Sequence, residues 1–184
     1  MKAKTLYLIL ILLVLVIAII TLILLSRKAP LNGPESIAFD EVGKRFLISN
    51  TLGKNIVALN LNEQYTPFLD KGLEQPRGII IYSEKLYVAD KTAIKIIDLE
   101  KAAIIDTITI PGAVMLNDIA FTKTGIIYVT DTAGNCMYVI DPVADNIQKL
   151  TSPLLKKPNG IVYDMPRDQM FVVCFTEKSP ILSV

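Results

Sequence analysis

Four polar side chains occupy the same position in four copies of one short sequence pattern. In each copy a turn leads into an apolar strand, and a second apolar strand ends at another turn. The residues that begin the first strands, called the axial residues below, are Glu35, Arg77, Asn117 and Asn159. Carboxylate and amide oxygens suit a hard cation such as Ca²⁺, so Glu35, Asn117 and Asn159 are predicted metal ligands. Arg77 is predicted to contact an anionic or carbonyl-bearing ligand.

Each axial residue by itself also has a purely structural interpretation, because Pro-Glu, Leu-Asn-Asp and Pro-Asn-Gly are ordinary turn sequences. The repetition favours a functional role, since three oxygen-bearing side chains would meet at one axis. Asp118 follows Asn117, and strand alternation is expected to point it away from that axis. Asp90 and Asp131 end the second strands, where we expect them to accept hydrogen bonds from the backbone of the next turn.

The spacing of the copies indicates the fold. The aromatic residues of the second strands, Phe46, Tyr87, Tyr128 and Phe171, recur at intervals of 41, 41 and 43. A period near 40 in a chain of short apolar runs and polar turns is typical of β-propeller blades. Tyr87 and Tyr128 are then expected to pack between blades.

We therefore predict an all-β domain over residues 33–184, a β-propeller of four-stranded antiparallel blades. The predicted blades are 33–73, 74–113, 114–155 and 156–184, and the last of them lacks a fourth strand. Six blades of this period would need on the order of 250 residues. About four blades would thus form part of an incomplete six-bladed ring in a truncated chain, and a closed four-bladed ring is the alternative.

The beginning of the chain predicts a membrane helix. Residues 6–25 contain no charged side chain, and a helix of this length spans roughly 30 Å, the thickness of a bilayer core. The run is longer than that of a cleavable signal peptide, which is the alternative, and no small-x-small site follows it. The predicted order is a tail (1–5), a single-pass signal anchor (6–25) and a linker (26–32).

The predicted orientation of this anchor depends on a small difference in positive charge between its two ends. Lys2 and Lys4 precede it, and Arg27 and Lys28 follow it, so the flanking side-chain charges are equal. The free N-terminal amine adds one positive charge to the first side, and long C-terminal domains are translocated largely regardless of charge. We therefore predict a cytoplasmic N-terminus and a propeller on the extracytoplasmic side of the membrane.

The composition excludes several functions. The sequence has no His, which removes Ser-His-Asp and Cys-His catalysis within the chain and any zinc site that uses His. Lys plus Arg number 19 and Asp plus Glu 18, so nothing indicates a basic face for nucleic acid. Cys136 and Cys174 are too few for a disulfide framework, and we favour two free apolar side chains over a bridge.

Three motifs resemble a known group of propellers. Residues 33–40 resemble the opening of the SMP-30/gluconolactonase and strictosidine synthase-like propellers, and Asn117-Asp118-Ile119 and Pro158-Asn159-Gly160-Ile161 resemble their later blades. Residues 128–135 are also similar to an NHL repeat. The resemblance covers residues 33–184 in order and at the spacing of that superfamily.

This resemblance implies a six-bladed propeller with a divalent metal, usually Ca²⁺, in its channel. Glu35 and Asn159 would be metal ligands, and Asn117 would be a ligand or a substrate contact. The remaining Asp ligand of the family, which is also its expected base, would fall in a blade beyond Val184. The histidines of the paraoxonase branch have no counterpart in this chain.

Two functions follow as alternatives. One is a membrane-anchored propeller with a binding or scaffolding role for a small molecule or protein at its channel or surface. The other, implied by the resemblance, is a Ca²⁺-dependent lactone or ester hydrolase in the full-length parent, where a metal polarises the carbonyl and a carboxylate activates water. The propeller fold is compatible with both the binding role and the hydrolase role, so it does not decide between these functions. With Glu35 as the one axial carboxylate, a dication would be held by a single negative charge, which favours the binding role.

Overall fold

The computed structural model describes the backbone of residues 2–26, 31–177 and 180–184, and side chains within 7–19, 21, 31–177 and 180–184. The chain divides into two units, Met1–Pro30 and Leu31–Val184. The first contains helix α1 (Lys2–Ser26). Judged on the residues described in full, the chain has no helix that is long and apolar enough to cross a bilayer. The predicted anchor (6–25), its charged flanks and the linker (26–32) include residues outside that description, and they stay predictions.

The second unit consists of four antiparallel sheets in which consecutive strands are neighbours. Blade 1 contains β1 (Pro34–Asp40), β2 (Arg45–Asn50), β3 (Asn55–Asn60) and β4 (Tyr65–Leu69). Blade 2 contains β5 (Pro76–Tyr82), β6 (Lys85–Asp90), β7 (Ala93–Asp98) and β8 (Ala103–Thr109). Blade 3 contains β9 (Leu116–Phe121), β10 (Ile127–Asp131), β11 (Cys136–Asp141) and β12 (Asn146–Leu150). Blade 4 contains β13 (Pro158–Asp164), β14 (Gln169–Cys174) and the short β15 (Leu182–Ser183). The predicted all-β architecture of antiparallel blades is confirmed.

The first strands of the four blades lie side by side in chain order. β1 packs beside β5, β5 beside β9, and β9 beside β13, while the second strand of each blade also contacts the first strand of the next. The first strand is therefore the innermost strand of every blade, and the later strands extend outwards. This radial order brings the beginnings of β1, β5, β9 and β13 together at one end of the axis.

Apolar side chains fill the spaces between neighbouring blades. Alternate residues of a strand point to opposite faces of the sheet, so each blade has a forward face towards the next blade in the chain and a rear face towards the previous one. The three inter-blade cores include Leu47 and Ile56 with Ile79 and Val88; Ala89 and Ile94 with Ile119 and Val129; and Ala120 and Met137 with Ile161 and Val172. Burying each of the larger side chains contributes about 1.5–3 kcal/mol, so the packing of blade on blade holds the array together.

The strand register shows that the interval between aromatics is not the structural repeat in blade 1. Tyr87 pairs with Ile80 in blade 2, whereas in blade 1 the equivalent residue Ala38 pairs with Leu47 and not with Phe46. Leu47 therefore corresponds to Tyr87, and Phe46 lies one residue before the equivalent position in blade 1. The physical reason is turn length: the hairpin between β1 and β2 has four residues and the one between β5 and β6 has two, so a constant interval does not follow the register.

The other predictions about packing residues are confirmed. Tyr87 packs against the core between blades 2 and 3, and Tyr128 against the core between blades 3 and 4. Cys136 and Cys174 are both free thiols, the first fully buried and the second half-buried. The two cysteines thus act as small apolar side chains in the blades.

Candidate functional site

A β-bulge positions the axial residue in every blade. The first residue of each inner strand pairs with the last residue of the second strand, as Pro34 does with Asn50, and regular pairing resumes three residues later at Ile37. The same irregularity follows Pro76, Leu116 and Pro158. Two residues of the inner strand therefore face one of its neighbour, as Glu35 and Ser36 face Ser49, and this geometry re-aims side chains out of a regular sheet. Glu35, Arg77, Asn117 and Asn159 all lie in these bulges.

Three of the four axial side chains interact with one another. Burial raises the pKa of Glu35 above its usual value, the positive charge of Arg77 opposes this rise, the charge of Asp118 adds to it, and a hydrogen bond with Asn117 favours the ionised form. Part of the Glu35 side chain remains exposed to solvent, whereas Asn117 is buried. Glu35, Arg77, Asn117 and Asp118 thus form one group at the axis, called the polar cluster below.

Arg77 has an unused hydrogen-bond donor. Its Nε is buried and has no hydrogen-bond partner among the described residues, while the side chain as a whole is half-buried. Leaving a buried donor unpaired costs about 1–3 kcal/mol. The planar guanidinium matches the two oxygens of a carboxylate, or a carbonyl oxygen, better than any other common group. A ligand that supplied such an oxygen would recover the lost hydrogen bond.

Asn159 takes a different position from the other axial residues. It is half-buried, and its backbone carbonyl accepts a 2.6 Å hydrogen bond from the Thr130 hydroxyl of blade 3. Its side chain is not among the groups that shift the pKa of Glu35. The structure thus joins Asn159 to the preceding blade through its backbone.

Asp118 is the residue of the polar cluster that the sequence analysis set aside. Its carboxylate accepts hydrogen bonds from the backbone N–H groups of Ile119 and of Ile161 in β13, both at 2.9 Å. Burial raises the pKa of Asp118, and these two hydrogen bonds oppose the rise. The side chain thus bridges blades 3 and 4 and also lies within electrostatic range of Glu35.

The repeated sequence pattern contains a signal for this contact between blades 3 and 4. The position after the axial residue is Ser36, Gly78, Asp118 and Gly160 in the four blades, so a polar side chain alternates with glycine. The hydroxyl of Ser36 accepts a 3.3 Å hydrogen bond from the N–H of Ile79 in blade 2, as Asp118 does from Ile161. In each case the polar residue reaches across to a blade that has glycine at the same position.

Asp90 and Asp131 bind backbone, as predicted, but mainly that of a different turn. Asp90 accepts hydrogen bonds from the backbone N–H groups of Glu74 and Gln75, the residues that precede its own inner strand. Asp131 accepts the equivalent pair of hydrogen bonds, and in addition one from Gly134 in the turn that follows. Both side chains therefore hold in place the two residues that lead into the inner strand of their blade.

The polar cluster offers a cation few free carboxylate oxygens. The guanidinium of Arg77 acts on the one axial carboxylate, Glu35, and both oxygens of Asp118 accept backbone hydrogen bonds. Within the described ranges, no three His, Cys, Asp or Glu side chains are grouped so that they could hold a metal ion. The Ca²⁺ site at Glu35, Asn117 and Asn159 stays a prediction.

Radially arranged antiparallel meanders with polar residues at the inner ends of their first strands define a β-propeller. No protein-family model matches the sequence, and no curated protein matches it either. Similar proteins are found when three-dimensional structures are compared.

Three solved structures illustrate this similarity. A gluconolactonase from Xanthomonas campestris aligns with a TM-score of 0.69 at 16% identity over 83% of this chain and 58% of its own. A nidogen/laminin complex aligns with a TM-score of 0.68 at 17% identity over 84% and 60%. A virginiamycin B lyase from Staphylococcus aureus, in an inactive form with quinupristin, aligns with a TM-score of 0.62 at 20% identity over 82% and 55%.

These matches confirm the propeller fold that the motifs indicate, and one of the similar structures is a gluconolactonase. The chain spans between half and two thirds of the length of these three structures. At identities of 16 to 20% the similarity shows the fold alone. What the chain binds or transforms has to be argued from its own residues.

Proposed function

We propose that this propeller is a binding module whose ligand carries a carboxylate or carbonyl group and docks at the polar cluster. The observation that supports this most directly is Arg77, whose buried Nε has no partner among the described residues. Glu35 can accept hydrogen bonds from hydroxyl or amine groups of the same ligand. Asn117 can donate as well as accept. The polar cluster thus suits a small, oxygen-rich molecule with one acidic or carbonyl end.

The surroundings of the cluster strengthen such contacts. Hydrogen bonds and charge interactions are stronger where water is partly excluded, and in the cluster Asn117 is buried and Arg77 is half-buried, while Glu35 is exposed. The bulges hold the axial residues on rigid inner strands. Little conformational entropy is then lost when a ligand binds.

A binding experiment with matched probes tests the proposal. The probes are gluconate, its neutral 1,5-lactone, and glucose, which has neither group. Gluconate and the lactone should raise the unfolding temperature of the full chain, because a ligand that binds the folded state stabilises it, and glucose should not. Arg77→Gln should abolish the shift, while Arg167→Gln, which changes an arginine in an exposed turn of blade 4, should leave it intact. Equal shifts in both variants, or no shift in the wild type, would refute the proposal.

We further propose that residues 6–25 anchor the chain in a membrane, with the propeller on the extracytoplasmic side. The support is the uncharged run of twenty residues, which falls within helix α1. The chain should remain in the membrane fraction after alkaline carbonate extraction. In spheroplasts a protease added outside should digest the propeller. Recovery of the chain in the soluble fraction contradicts the anchor, and protection of the propeller contradicts the orientation.

The second candidate function is metal-dependent hydrolysis of a lactone or ester, as the motif resemblance implies. It is favoured by the fold shared with a gluconolactonase and by the oxygen-bearing axial residues Glu35, Asn117 and Asn159. It requires more carboxylates than the polar cluster offers to a cation. Lactone hydrolysis by the full chain that depends on Ca²⁺, stops with a chelator and is lost in Glu35→Gln would support this function over simple binding. Activity that survives chelation would exclude the metal mechanism.

A further inference from the structure

A cavity of about 150 Å³ lies between blades 2 and 3. Blade 2 contributes Tyr82 and Tyr87 from its forward face, and blade 3 contributes Phe121 and the turn that begins at Asp141. Val143 in that turn also lines the cavity and is 95% exposed, so the cavity borders solvent. Both blades have all four strands, so the cavity belongs to an internal interface of the array.

The cavity lies away from the polar cluster, near the other end of the blades. Arg77 is the second residue of β5 and Tyr82 is the last, five positions further on. At about 3.3 Å per residue along a strand, this separation is about 16 Å. A small ligand in the cavity would therefore not contact the axial residues, and the cavity is a separate site.

Three aromatic rings line the cavity. The rings of Tyr82 and Phe121 are stacked with their centroids 4.2 Å apart, and the ring of Tyr87 meets Phe121 edge-on with centroids 4.7 Å apart. Aromatic rings attract cations, and the tyrosine hydroxyls can accept hydrogen bonds from them. This part of the lining therefore favours a ligand that is both apolar and positively charged.

The charged groups around the cavity are carboxylates. Asp141 lines it, and Oδ1 of Asp141 accepts two hydrogen bonds from the backbone of the turn that follows, so Oδ2 can accept one from a ligand. Burial raises the pKa of Tyr87, and the nearby Tyr82 and Asp106 add to the rise, so Asp106 places a second carboxylate within electrostatic range. Of the described residues that line the cavity, none is Lys or Arg. The cavity should therefore attract a cation and repel an anion.

Between blades 1 and 2 the chain places one of its own cations in the equivalent position. Cζ of Arg45 lies 4.7 Å from the centre of the Phe68 ring, and Nε of Arg45 lies 2.9 Å from Oδ2 of Asp40. The same guanidinium donates a 2.7 Å hydrogen bond to the carbonyl of Leu99 in blade 2. This interface thus holds a cation against an aromatic ring, a carboxylate and a carbonyl oxygen.

The strand register identifies the equivalent residues in the next interface. Arg45 pairs with the last residue of β1 and Lys85 with the last residue of β5, so Lys85 is the equivalent of Arg45. Lys85 is exposed and is not among the residues that line the cavity. Pro142, which follows β11 as Leu99 follows β7, does line it. The interface between blades 2 and 3 thus has aromatic rings and a carboxylate in this region, but not the cation of the preceding interface.

We propose that the cavity between blades 2 and 3 binds a small organic cation, with its ammonium or guanidinium group near Asp141 and its apolar body beside the three aromatic rings. The volume limits that body to about one six-membered ring, because an engineered apolar cavity of about 150 Å³ binds benzene. A bare inorganic cation is disfavoured, because the mainly apolar lining cannot replace its hydration. The site would function whether or not the polar cluster binds a ligand.

Equilibrium dialysis of the full chain in detergent, with the same detergent alone as a blank, tests the proposal with three probes of similar size. The probes are benzylamine, which is a cation at neutral pH, benzyl alcohol, which is neutral, and benzoate, which is an anion. Benzylamine should bind, benzyl alcohol should bind at least tenfold more weakly, and benzoate should not bind. Equal affinities for benzylamine and benzyl alcohol, or no binding of benzylamine, would overturn the proposal.

Three substitutions assign the binding to this cavity. Asp141→Asn removes the charge but keeps an oxygen for the hydrogen bonds of the turn, and it should weaken benzylamine binding at least tenfold with an unchanged circular dichroism spectrum. Asp98→Asn is the matched control, because Asp98 ends β7 as Asp141 ends β11 and also accepts two backbone hydrogen bonds from the following turn. Asp98→Asn and Arg77→Gln should both leave the affinity unchanged. Wild-type affinity in Asp141→Asn, or an equal loss in either control, would show that the cavity is not the site.

Discussion

Replacing Gly78 by alanine is expected to destabilise the propeller strongly, because another blade occupies the space that the new methyl group would need. A Cβ atom at position 78 would lie 2.5 Å from Oδ1 of Asp118, 2.6 Å from the backbone oxygen of Asn117 and 2.6 Å from Cα of Asp118. Two of these three atoms are backbone, and they belong to β9. The clash can be relieved only if blade 2 moves away from blade 3.

Gly160 provides a matched control, since it is the equivalent residue of blade 4. A Cβ there would meet a side-chain methyl group of Val173 at 3.2 Å and Oδ2 of Asp118 at 3.9 Å. Val173 is partly exposed and can adjust. Neither glycine has a positive φ, so the two substitutions differ in packing and not in the backbone conformation that alanine must adopt.

The expected magnitudes follow from these contacts. Overpacking in a well-packed interior typically costs about 1–3 kcal/mol, and close approach to backbone places Gly78→Ala at the upper end of that range. Gly160→Ala should change the free energy of unfolding by less than about 1 kcal/mol, since alanine also restricts the unfolded chain, which favours folding by about 0.4–1 kcal/mol. Urea unfolding followed by circular dichroism measures both values. Equal free energies of unfolding for the two variants would refute the inferred contact between blades 2 and 3.

Two further predictions concern the polar contacts that hold the blades. Thr51→Val and Thr132→Val each remove a 2.6 Å hydrogen bond to a proline carbonyl of the next blade; each should lower the free energy of unfolding by about 1–2 kcal/mol, and the double variant by their sum, because the two sites share no partner. A double variant no less stable than either single variant would contradict this. Burial raises the pKa of Asp90, against the hydrogen bonds from Gln75 and Glu74, so between its ordinary and its raised pKa the folded state binds more protons than the unfolded state. Its contribution to the free energy of unfolding must then fall as the pH rises through that window. Urea titrations between about pH 4 and pH 7 should show a smaller decrease for Asp90→Asn than for the wild type, and parallel curves would be evidence against this assignment.

The blade architecture could be predicted because its determinants are local. Apolar runs of five to seven residues, separated by short polar turns, favour antiparallel meanders, and the repetition of Pro-Glu, Pro-Arg, Asn-Asp and Pro-Asn-Gly marks the start of each inner strand. Such strands need no knowledge of distant contacts.

The register and the polar cluster could not be predicted so well. The interval between aromatics places Phe46 beside Tyr87 in the repeat, whereas backbone pairing makes Leu47 the equivalent residue, because register depends on turn length. Strand alternation led us to set Asp118 aside, but the bulge after Leu116 interrupts alternation at that position. A one-residue irregularity is enough to re-aim a side chain, and it leaves little trace in composition.

The sequence by itself determined the period, the strands, the uncharged N-terminal run and the four axial residues, because each of these depends on neighbours within a few positions along the chain. The tertiary structure alone decided that Arg77 keeps a buried donor without a partner in the described residues, and that Asp118 joins two blades. These properties depend on which blade lies against which. Burial and charge are set by atoms that are some 40 residues away in the chain, in the adjoining blades.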